Sequence, residues 1–185
     1  MNGETGIMKR LFLALVFIAV TGSIFAQERT ASRAFYAELG GAGVILSVNM
    51  DGRFNAASHL GLGYRAGVGY STHVVIVDSG SYQYYTYRTE SFATIPFGIN
   101  YLFGKPNSPH LLEAEVGGTV LTKRVSLYNY DNYYAPAGNL LGHLSVMYRR
   151  QPFDGGFVWK AGLHAIIGTG GDVHTVPSIA IGYAF

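Results

Sequence analysis

Apolar residues alternate with small or polar residues through most of the chain after residue 33. In residues 60–70 the even-numbered positions are Leu, Tyr, Ala and Val, and the odd-numbered positions are Gly apart from Arg65. The same period of two recurs in residues 112–120, 157–167 and 178–185. Because successive side chains of a strand point to opposite faces, this pattern predicts β-strands.

Turn-like breaks divide the pattern into eight predicted strands. The breaks at 104–109 and 150–155 are short, whereas 73–90 and 122–137 read as long loops, and the Gly-rich residues 168–172 read as a turn. The predicted strands are 34–41, 43–51, 60–72, 91–103, 110–121, 138–149, 156–167 and 176–185.

The division near residue 42 depends on a change of parity. The apolar residues are odd-numbered up to Leu39 and even-numbered from Val44 onward, so a turn or a bulge must intervene. We predict a turn at Gly41–Gly43, because one continuous strand would leave seven strands and bacterial barrels use even numbers. This division places Val44 on the same face as Leu46, Val48 and Met50.

The composition of the two faces predicts which face of the sheet meets lipid and which lines the interior. One face is bulky and apolar, whereas the other carries Gly, Ala, Ser and isolated charges. These side chains are too small to cover one side of a water-soluble β-sandwich sheet. We therefore expect the apolar face to meet lipid and the other to line a narrow lumen. Open sheet edges in hydrocarbon leave backbone groups unpaired, so the prediction is a closed, antiparallel, eight-stranded transmembrane β-barrel. With eight strands, we expect both chain termini and the short turns to face the periplasm, and the loops 73–90, 122–137 and 168–175 to face outward.

The first 26 residues have the features of an export signal. Lys9 and Arg10 precede the apolar run Leu11–Val20, which is shorter than the ~20 residues that a membrane-spanning helix needs. We predict a signal peptide over 1–26, with cleavage after Ala26 and a true start at Met8, since 1–7 fit no signal architecture. Residues 27–185 then form a single barrel domain.

Composition narrows the function classes. Only 13% of residues are charged, against about 25% in a typical soluble domain, and the net charge of +2 disfavours a nucleic-acid partner. The absence of Cys excludes disulfides and cysteine-based metal sites. We expect no cofactor and no metal, because His73, His110 and His174 are scattered along the chain.

Three segments, 35–54, 95–105 and 177–185, resemble the small outer-membrane β-barrel proteins of Gram-negative envelopes and, more loosely, the OmpA/OmpX-type eight-stranded barrels. The resemblance covers residues 34–185 and implies a monomer surrounded by outer-membrane lipid. In that family an aromatic end like Ile181, Tyr183 and Phe185 is read by the barrel-assembly machinery during insertion. The resemblance implies no particular activity, since one fold serves many functions.

Several charged residues fall on the predicted lumen face. Glu38, Arg65, Glu113, Glu115 and Lys160 are expected to pair in a structural ion-pair network, because isolated buried charges are costly. His143, Arg149 and His164 are the other ionisable residues expected to face inward, and Tyr36, Asn49 and Asn100 are expected to assist the pairing. Since an eight-stranded interior is just filled by side chains, a porin-like passive pore is disfavoured.

His143 and Ser145 are the one candidate catalytic pair. The spacing is similar to the His-x-Ser pattern of outer-membrane lipid A 3-O-deacylases, in which Ser is the nucleophile, His its base, and a Glu on the next strand orients the His. Phe157 stands where that Glu is expected, although Glu113 or Glu115 offers a different arrangement. We therefore predict a non-enzymatic protein, with a lipid A-directed esterase as the alternative.

Eight of the 14 tyrosines lie in the two long predicted loops. They are Tyr82, Tyr84, Tyr85, Tyr87, Tyr128, Tyr130, Tyr133 and Tyr134. One interpretation is a membrane-interface girdle or an extension of the strands above the membrane. The other is recognition of an unidentified extracellular ligand, since Tyr with Asn, Ser and Gly is typical of binding loops. The predicted function is thus a structural or surface-interaction role in the outer membrane.

Overall fold

The computed structural model describes residues 30–78, 85–125 and 138–185, which form a closed β-barrel of eight antiparallel strands. Each strand pairs with its neighbours in sequence, and β1 closes the barrel against β8. The strands are β1 (Arg33–Gly40), β2 (Leu46–Arg53), β3 (Gly61–Asp78), β4 (Tyr85–Phe103), β5 (His110–Val125), β6 (Gly138–Arg150), β7 (Gly156–Ile167) and β8 (Val173–Ala184). The predicted fold and strand number are confirmed. None of the described residues forms a helix long and apolar enough to cross a membrane.

The two faces of the sheet separate as the alternation predicts. Outward-facing Leu62, Val116 and Leu163 are 51%, 56% and 55% exposed. Inward-facing residues such as Arg65 and His164 are buried in the lumen. The bulky apolar face is therefore the outside of the barrel, and the small and charged face is its interior.

The chain between β1 and β2 turns into the lumen instead of outward. A short 3₁₀ turn, η1 (Gly41–Gly43), replaces the strand here, which confirms the predicted turn. All three of its residues are buried. Thr119 Oγ1 donates a hydrogen bond to the Ala42 carbonyl at 2.7 Å, and Thr94 Oγ1 donates to the Gly43 carbonyl at 3.2 Å.

The predicted position of Val44 was wrong. Val44 packs inside the lumen against a buried apolar cluster and has φ 74°, so β2 begins only at Leu46. The parity rule failed because the backbone reverses at η1, where Gly40 and Gly41 also have positive φ. The cluster, hereafter the far-end cluster, consists of Phe92, Leu121, Val125, Leu141 and Ile166.

The predicted loops 73–90 and 122–137 were too long. The β3–β4 ladder continues through His73↔Glu90 to Asp78↔Tyr85, β5 extends to Val125, and β8 starts at Val173. Antiparallel pairing continues here although residues 74–77 are uniformly apolar and residues 85–91 are mostly polar, because backbone hydrogen bonds do not require an alternating pattern of side chains. Residues 79–84 and 126–137 lie outside the described residues. Residues 168–172 form the predicted turn, with the Gly168 N–H donating to the Asp172 carbonyl at 2.8 Å.

The lumen is arranged in layers along the barrel axis. At the end that holds Ala34 and Ala184, here the terminal end, small residues pack around the Tyr36 ring. The far-end cluster fills the opposite end. Between the two apolar layers lie the buried charges and η1.

Candidate functional site in the barrel lumen

Eight charged side chains meet in the middle layer of the lumen, all of them almost fully buried. Four are acidic and four are basic, so their formal charges cancel. Six strands contribute these side chains. Because alternate residues of a strand lie on the same face, all eight side chains point into the lumen. The acidic residues are Glu38, Asp51, Glu113 and Glu115, and the basic residues are Arg53, Arg65, Arg149 and Lys160.

Arg65 is the centre of one half of this network. Its guanidinium group pairs with the Glu38 carboxylate and, at 3.3 Å, with Glu115 Oε1. Its Nε donates to Asn49 Oδ1 at 3.1 Å. Glu38 also accepts a hydrogen bond from Ser178 Oγ at 2.9 Å. Strands β1, β2, β3, β5 and β8 are thus tied together through one cation.

Glu113 is the centre of the other half. Its carboxylate accepts from Arg149 Nη1 at 2.9 Å and from Lys160 Nζ at 2.8 Å. Arg149 reaches across the lumen to Asp51, with Nη2 at 3.1 Å from Oδ1. The Lys160 ammonium lies 4.0 Å from the centroid of the Tyr36 ring, a cation–π contact in a site without water access.

The five residues expected to form the network therefore fall into these two groups, with Tyr36 and Asn49 beside them. Asp51 and Arg53 were not among the residues predicted for this network. Arg53 Nη2 donates to Asn100 Oδ1 at 2.6 Å. Both residues continue the inward parity of β2. Asp51 is the last residue of the predicted strand 43–51, and extending that strand by two residues would have identified Arg53.

The candidate catalytic pair also lies inside the lumen. His143 Nε2 is 2.8 Å from Glu115 Oε1, so the acid beside this histidine comes from the preceding strand. Ser145 is 5% exposed, and its Oγ has no hydrogen-bond partner among the described residues. Phe157 is on the outer surface opposite Tyr183. A serine nucleophile needs a hydrogen bond to its base. Here neither Ser145 Oγ nor His143 Nδ1, the ring nitrogen that Glu115 leaves free, has a hydrogen-bond partner among the described residues.

The remaining predicted residues that the structure describes lie toward the two ends of the barrel. Ile181, Tyr183 and Phe185 are all more than half exposed on the outer face of the terminal end. Tyr85 and Tyr87 belong to β4, where they pair with Asp78 and Ile76. The other six tyrosines lie outside the described residues.

Comparison with known proteins supports the fold. No protein-family model and no curated protein matches the sequence. The N-terminal β-barrel domain of Pseudomonas aeruginosa OprF is similar in structure, with 12% identity, a TM-score of 0.51, and coverage of 85% of this chain and 99% of that domain.

Two structures of the Yersinia pestis protein Ail also match. Ail in a phospholipid bilayer nanodisc has 10% identity, a TM-score of 0.47, and coverage of 86% and 100% of the two chains. Ail in complex with the heparin analogue sucrose octasulfate has 11% identity, a TM-score of 0.38, and coverage of 84% and 96%. On the OprF likeness and its own closed sheet, the chain has the eight-stranded barrel fold of Gram-negative outer-membrane proteins.

Proposed function

We propose that this chain is a non-enzymatic protein of the Gram-negative outer membrane, whose barrel is an anchor with a lumen closed to ions. The observation that carries the proposal is the filled interior. Paired charges occupy its middle, and η1 is hydrogen-bonded to Thr94 and Thr119 beneath the far-end cluster. An eight-stranded barrel has little free volume once such side chains are present.

The outer surface supports a membrane location. Leu62, Val116 and Leu163, on three different strands, are exposed by more than half. A continuous apolar exterior of this kind is stable in lipid and would aggregate in water. We expect the protein to fractionate with outer membranes on a sucrose gradient and to begin near Gln27. Recovery as a soluble periplasmic product would contradict the location.

Conductance tests the closed lumen. The purified protein, inserted in planar phospholipid bilayers, is expected to show no steady conductance. The matched variant is Glu113→Gln with Arg149→Gln, which removes two charges of opposite sign from the middle layer. Comparing the conductance of this double variant with that of the wild type shows whether the charge network closes the lumen. A stable ohmic conductance from the wild-type protein would contradict the proposal.

Surface interaction is the second part of the proposal. It is favoured by the β3–β4 hairpin, whose ladder reaches Asp78↔Tyr85 and so carries the backbone of Tyr85 and Tyr87 beyond the end of β2. The hairpin thereby offers a raised, tyrosine-containing surface on the side we propose to be extracellular.

Lipid A deacylation is the activity to exclude. We expect no loss of an acyl chain when the detergent-folded protein is incubated with lipid A and the lipid is analysed by mass spectrometry. The reason is that Ser145 Oγ faces the lumen, where an acyl chain has no room. Deacylation that disappears in Ser145→Ala would overturn the non-enzymatic proposal.

A further inference from the structure

Four polar or aromatic side chains interrupt the apolar exterior at the terminal end of the barrel. His110 begins β5, Arg150 ends β6, and Trp159 lies near the start of β7, whose first residue pairs with Ala184. Together with Tyr148 they have the outward parity of their strands, and none of them is buried. His110, Tyr148, Arg150 and Trp159 are hereafter the rim cluster.

The sheet register places Arg150 at the centre of the rim cluster. On one side it is directly opposite His110, and on the other side it is directly opposite Trp159. Tyr148 precedes it by two residues and therefore lies on the same face of β6. Directly opposed residues on neighbouring strands have Cβ atoms about 4.5–5.5 Å apart. All four side chains therefore share one small area of the outer surface.

Contacts among three rings fix the shape of this area. The ring centroids of Tyr148 and Trp159 are 5.0 Å apart with planes at 46°, and those of His110 and Tyr148 are 6.0 Å apart with planes at 40°. The Tyr148 hydroxyl is also hydrogen-bonded to Nδ1 of His110. With the hydroxyl as the donor, a neutral His110 carries its proton on Nε2. The rings around Arg150 thus hold one another in place.

The polar groups of the rim cluster lack an acceptor. The Arg150 guanidinium forms no hydrogen bond and no ion pair with any described residue, unlike Arg149, which pairs with Asp51 in the lumen. The indole N–H of Trp159 and Nε2 of His110 likewise have no partner in the described part of the chain. A cation on an apolar, lipid-facing surface is costly without an anionic partner. One cation and two N–H donors without an acceptor form a site for an anion.

We propose that the rim cluster binds the phosphodiester headgroup of an anionic glycerophospholipid, with the Arg150 guanidinium paired to the phosphate oxygens. A guanidinium forms parallel hydrogen bonds with two oxygens of one phosphate. His110 and Trp159 supply further N–H donors, and an indole ring suits the boundary between headgroup and acyl chain. The membrane location, and the periplasmic side of this leaflet, rest on the proposed function.

The charge of the rim cluster favours a headgroup with one phosphate and no ammonium group. Arg150 is its one permanent cation, which matches the single negative charge of phosphatidylglycerol. Phosphatidylethanolamine adds an ammonium group, and the rim cluster contains no carboxylate that could accept it. Lipid A carries more than one phosphate and would need more cations than the rim cluster has. The site therefore selects a phospholipid with one net negative charge.

The fluorescence of Trp159 reports binding directly, because it is the single Trp of the chain. The full chain is refolded into phosphatidylcholine vesicles that contain a small fraction of a lipid brominated near the headgroup end of its acyl chains, since bromine quenches Trp on contact. We expect brominated phosphatidylglycerol to associate about fivefold more strongly than brominated phosphatidylcholine, the advantage of one Arg beside an anionic lipid. Brominated phosphatidylethanolamine should quench as phosphatidylcholine does.

Two variants separate this site from general charge attraction. Arg150→Gln removes the guanidinium and should abolish the preference for phosphatidylglycerol. The matched control is Lys105→Gln, which removes one exposed charge from the turn before β5, at the same end of the barrel. It should keep the preference within about twofold of the wild type. Circular dichroism checks that both variants fold, and if Arg150→Gln does not, the preference of the wild type decides.

Four results would overturn the proposal. Two are equal quenching by brominated phosphatidylglycerol and phosphatidylcholine, and an equal loss of preference in the two variants. The third is loss of the preference in excess inorganic phosphate, which would indicate a site for free phosphate. The fourth is recovery of fluorescence at a lower fraction of unlabelled lipid A than of unlabelled phosphatidylglycerol. Absence of quenching by every brominated lipid would instead contradict the membrane location, whereas equal quenching leaves that location standing.

Discussion

At the residue scale, the interior depends on charges that are buried only in the company of opposite charges. Glu113 contacts both Arg149 and Lys160, and Lys160 is fully buried. Removing one partner of such a set leaves a buried charge without compensation, which costs far more than the pair itself contributes. The network therefore specifies the arrangement of the strands, and its members cannot be exchanged one at a time.

Glu113→Gln should lower the free energy of unfolding by about 3–5 kcal/mol, because Lys160 then keeps a buried charge with no acidic partner. Denaturant titration of the protein refolded into lipid vesicles measures the change. The control is Glu90→Gln, whose partner Lys123 lies at 3.2 Å with a side chain that is 47% exposed. That variant should unfold almost as the wild type does, since water screens the pair. Equal effects of the two substitutions would contradict the account of the lumen.

Sequence alone could place most of this network but could not pair its members. A period of two assigns Glu38, Arg65 and Glu115 to the interior without knowledge of the register. Which of them meet depends on how the strands tilt and stagger when the barrel closes, and this is a property of the whole sheet. Arg53 was missed because β2 was predicted to end two residues too early, at residue 51, and strand ends are the least certain part of a pattern. Asp51, the last residue of the predicted strand, has the inward parity and was overlooked.

At the element scale, the turn η1 makes this barrel different from a simple meander. Gly40 and Gly41 adopt φ of 74° and 69°, values at which a side chain is strained. A Cβ at Gly40 would also collide with the Pro177 carbonyl of β8. The inward course of the chain thus needs glycine for its backbone angles and for space.

Gly40→Ala should destabilise the barrel by clearly more than Gly171→Ala. Gly171 has φ +86°, but a Cβ there has nothing within 4 Å, so its substitution measures the backbone strain alone. That strain is about 1–2 kcal/mol. The same denaturant titration gives both values. Equal losses at the two positions would show that η1 is not held against β8 as described.

Two structural features could not be predicted from the alternation of apolar residues: the paired hairpin of β3 and β4, and the inward position of Val44. The end of β3 and the start of β4 lack a regular alternation and were interpreted as one loop, yet their backbones remain paired to Asp78↔Tyr85. A period of two in the sequence indicates a strand with one buried face. A hairpin that extends beyond the apolar outer surface of the barrel has no buried face, so its sequence does not alternate. The inward position of Val44 could not be predicted either, because it follows from positive φ angles that no alternation reveals.

At the scale of the whole molecule, the barrel is inverted relative to a soluble protein. Eight charged side chains are buried inside it, and its bulky apolar side chains are outside. Only a lipid environment makes that distribution stable, because closure satisfies the backbone and the exterior meets hydrocarbon. The same inversion limits what the lumen can do, since its volume is taken by the residues that neutralise one another.

Lysine substitutions on the outer face should show a dependence on depth. Leu163 lies in the middle of β7 and should cost about 2–4 kcal/mol when replaced by Lys. Val173 is equally outward but begins β8 beside the 168–172 turn, and Val173→Lys should cost about 0–1 kcal/mol. Unfolding in lipid vesicles is the measurement. A small effect at Leu163 would indicate that this face meets water.

The most direct test of the account is a nitroxide scan along β7 in outer membranes isolated from a Gram-negative host. The chain has no Cys, so each introduced Cys in residues 158–167 carries a single label. Collision with dissolved oxygen, which concentrates in lipid, should be frequent at Trp159, Ala161, Leu163 and Ala165. It should be rare at Val158, His164 and Ile166, which are buried. Lys160 is left out of the scan because it pairs with Glu113 in the charge network. Accessibility without a period of two, or with the opposite phase, would contradict the lipid-facing barrel.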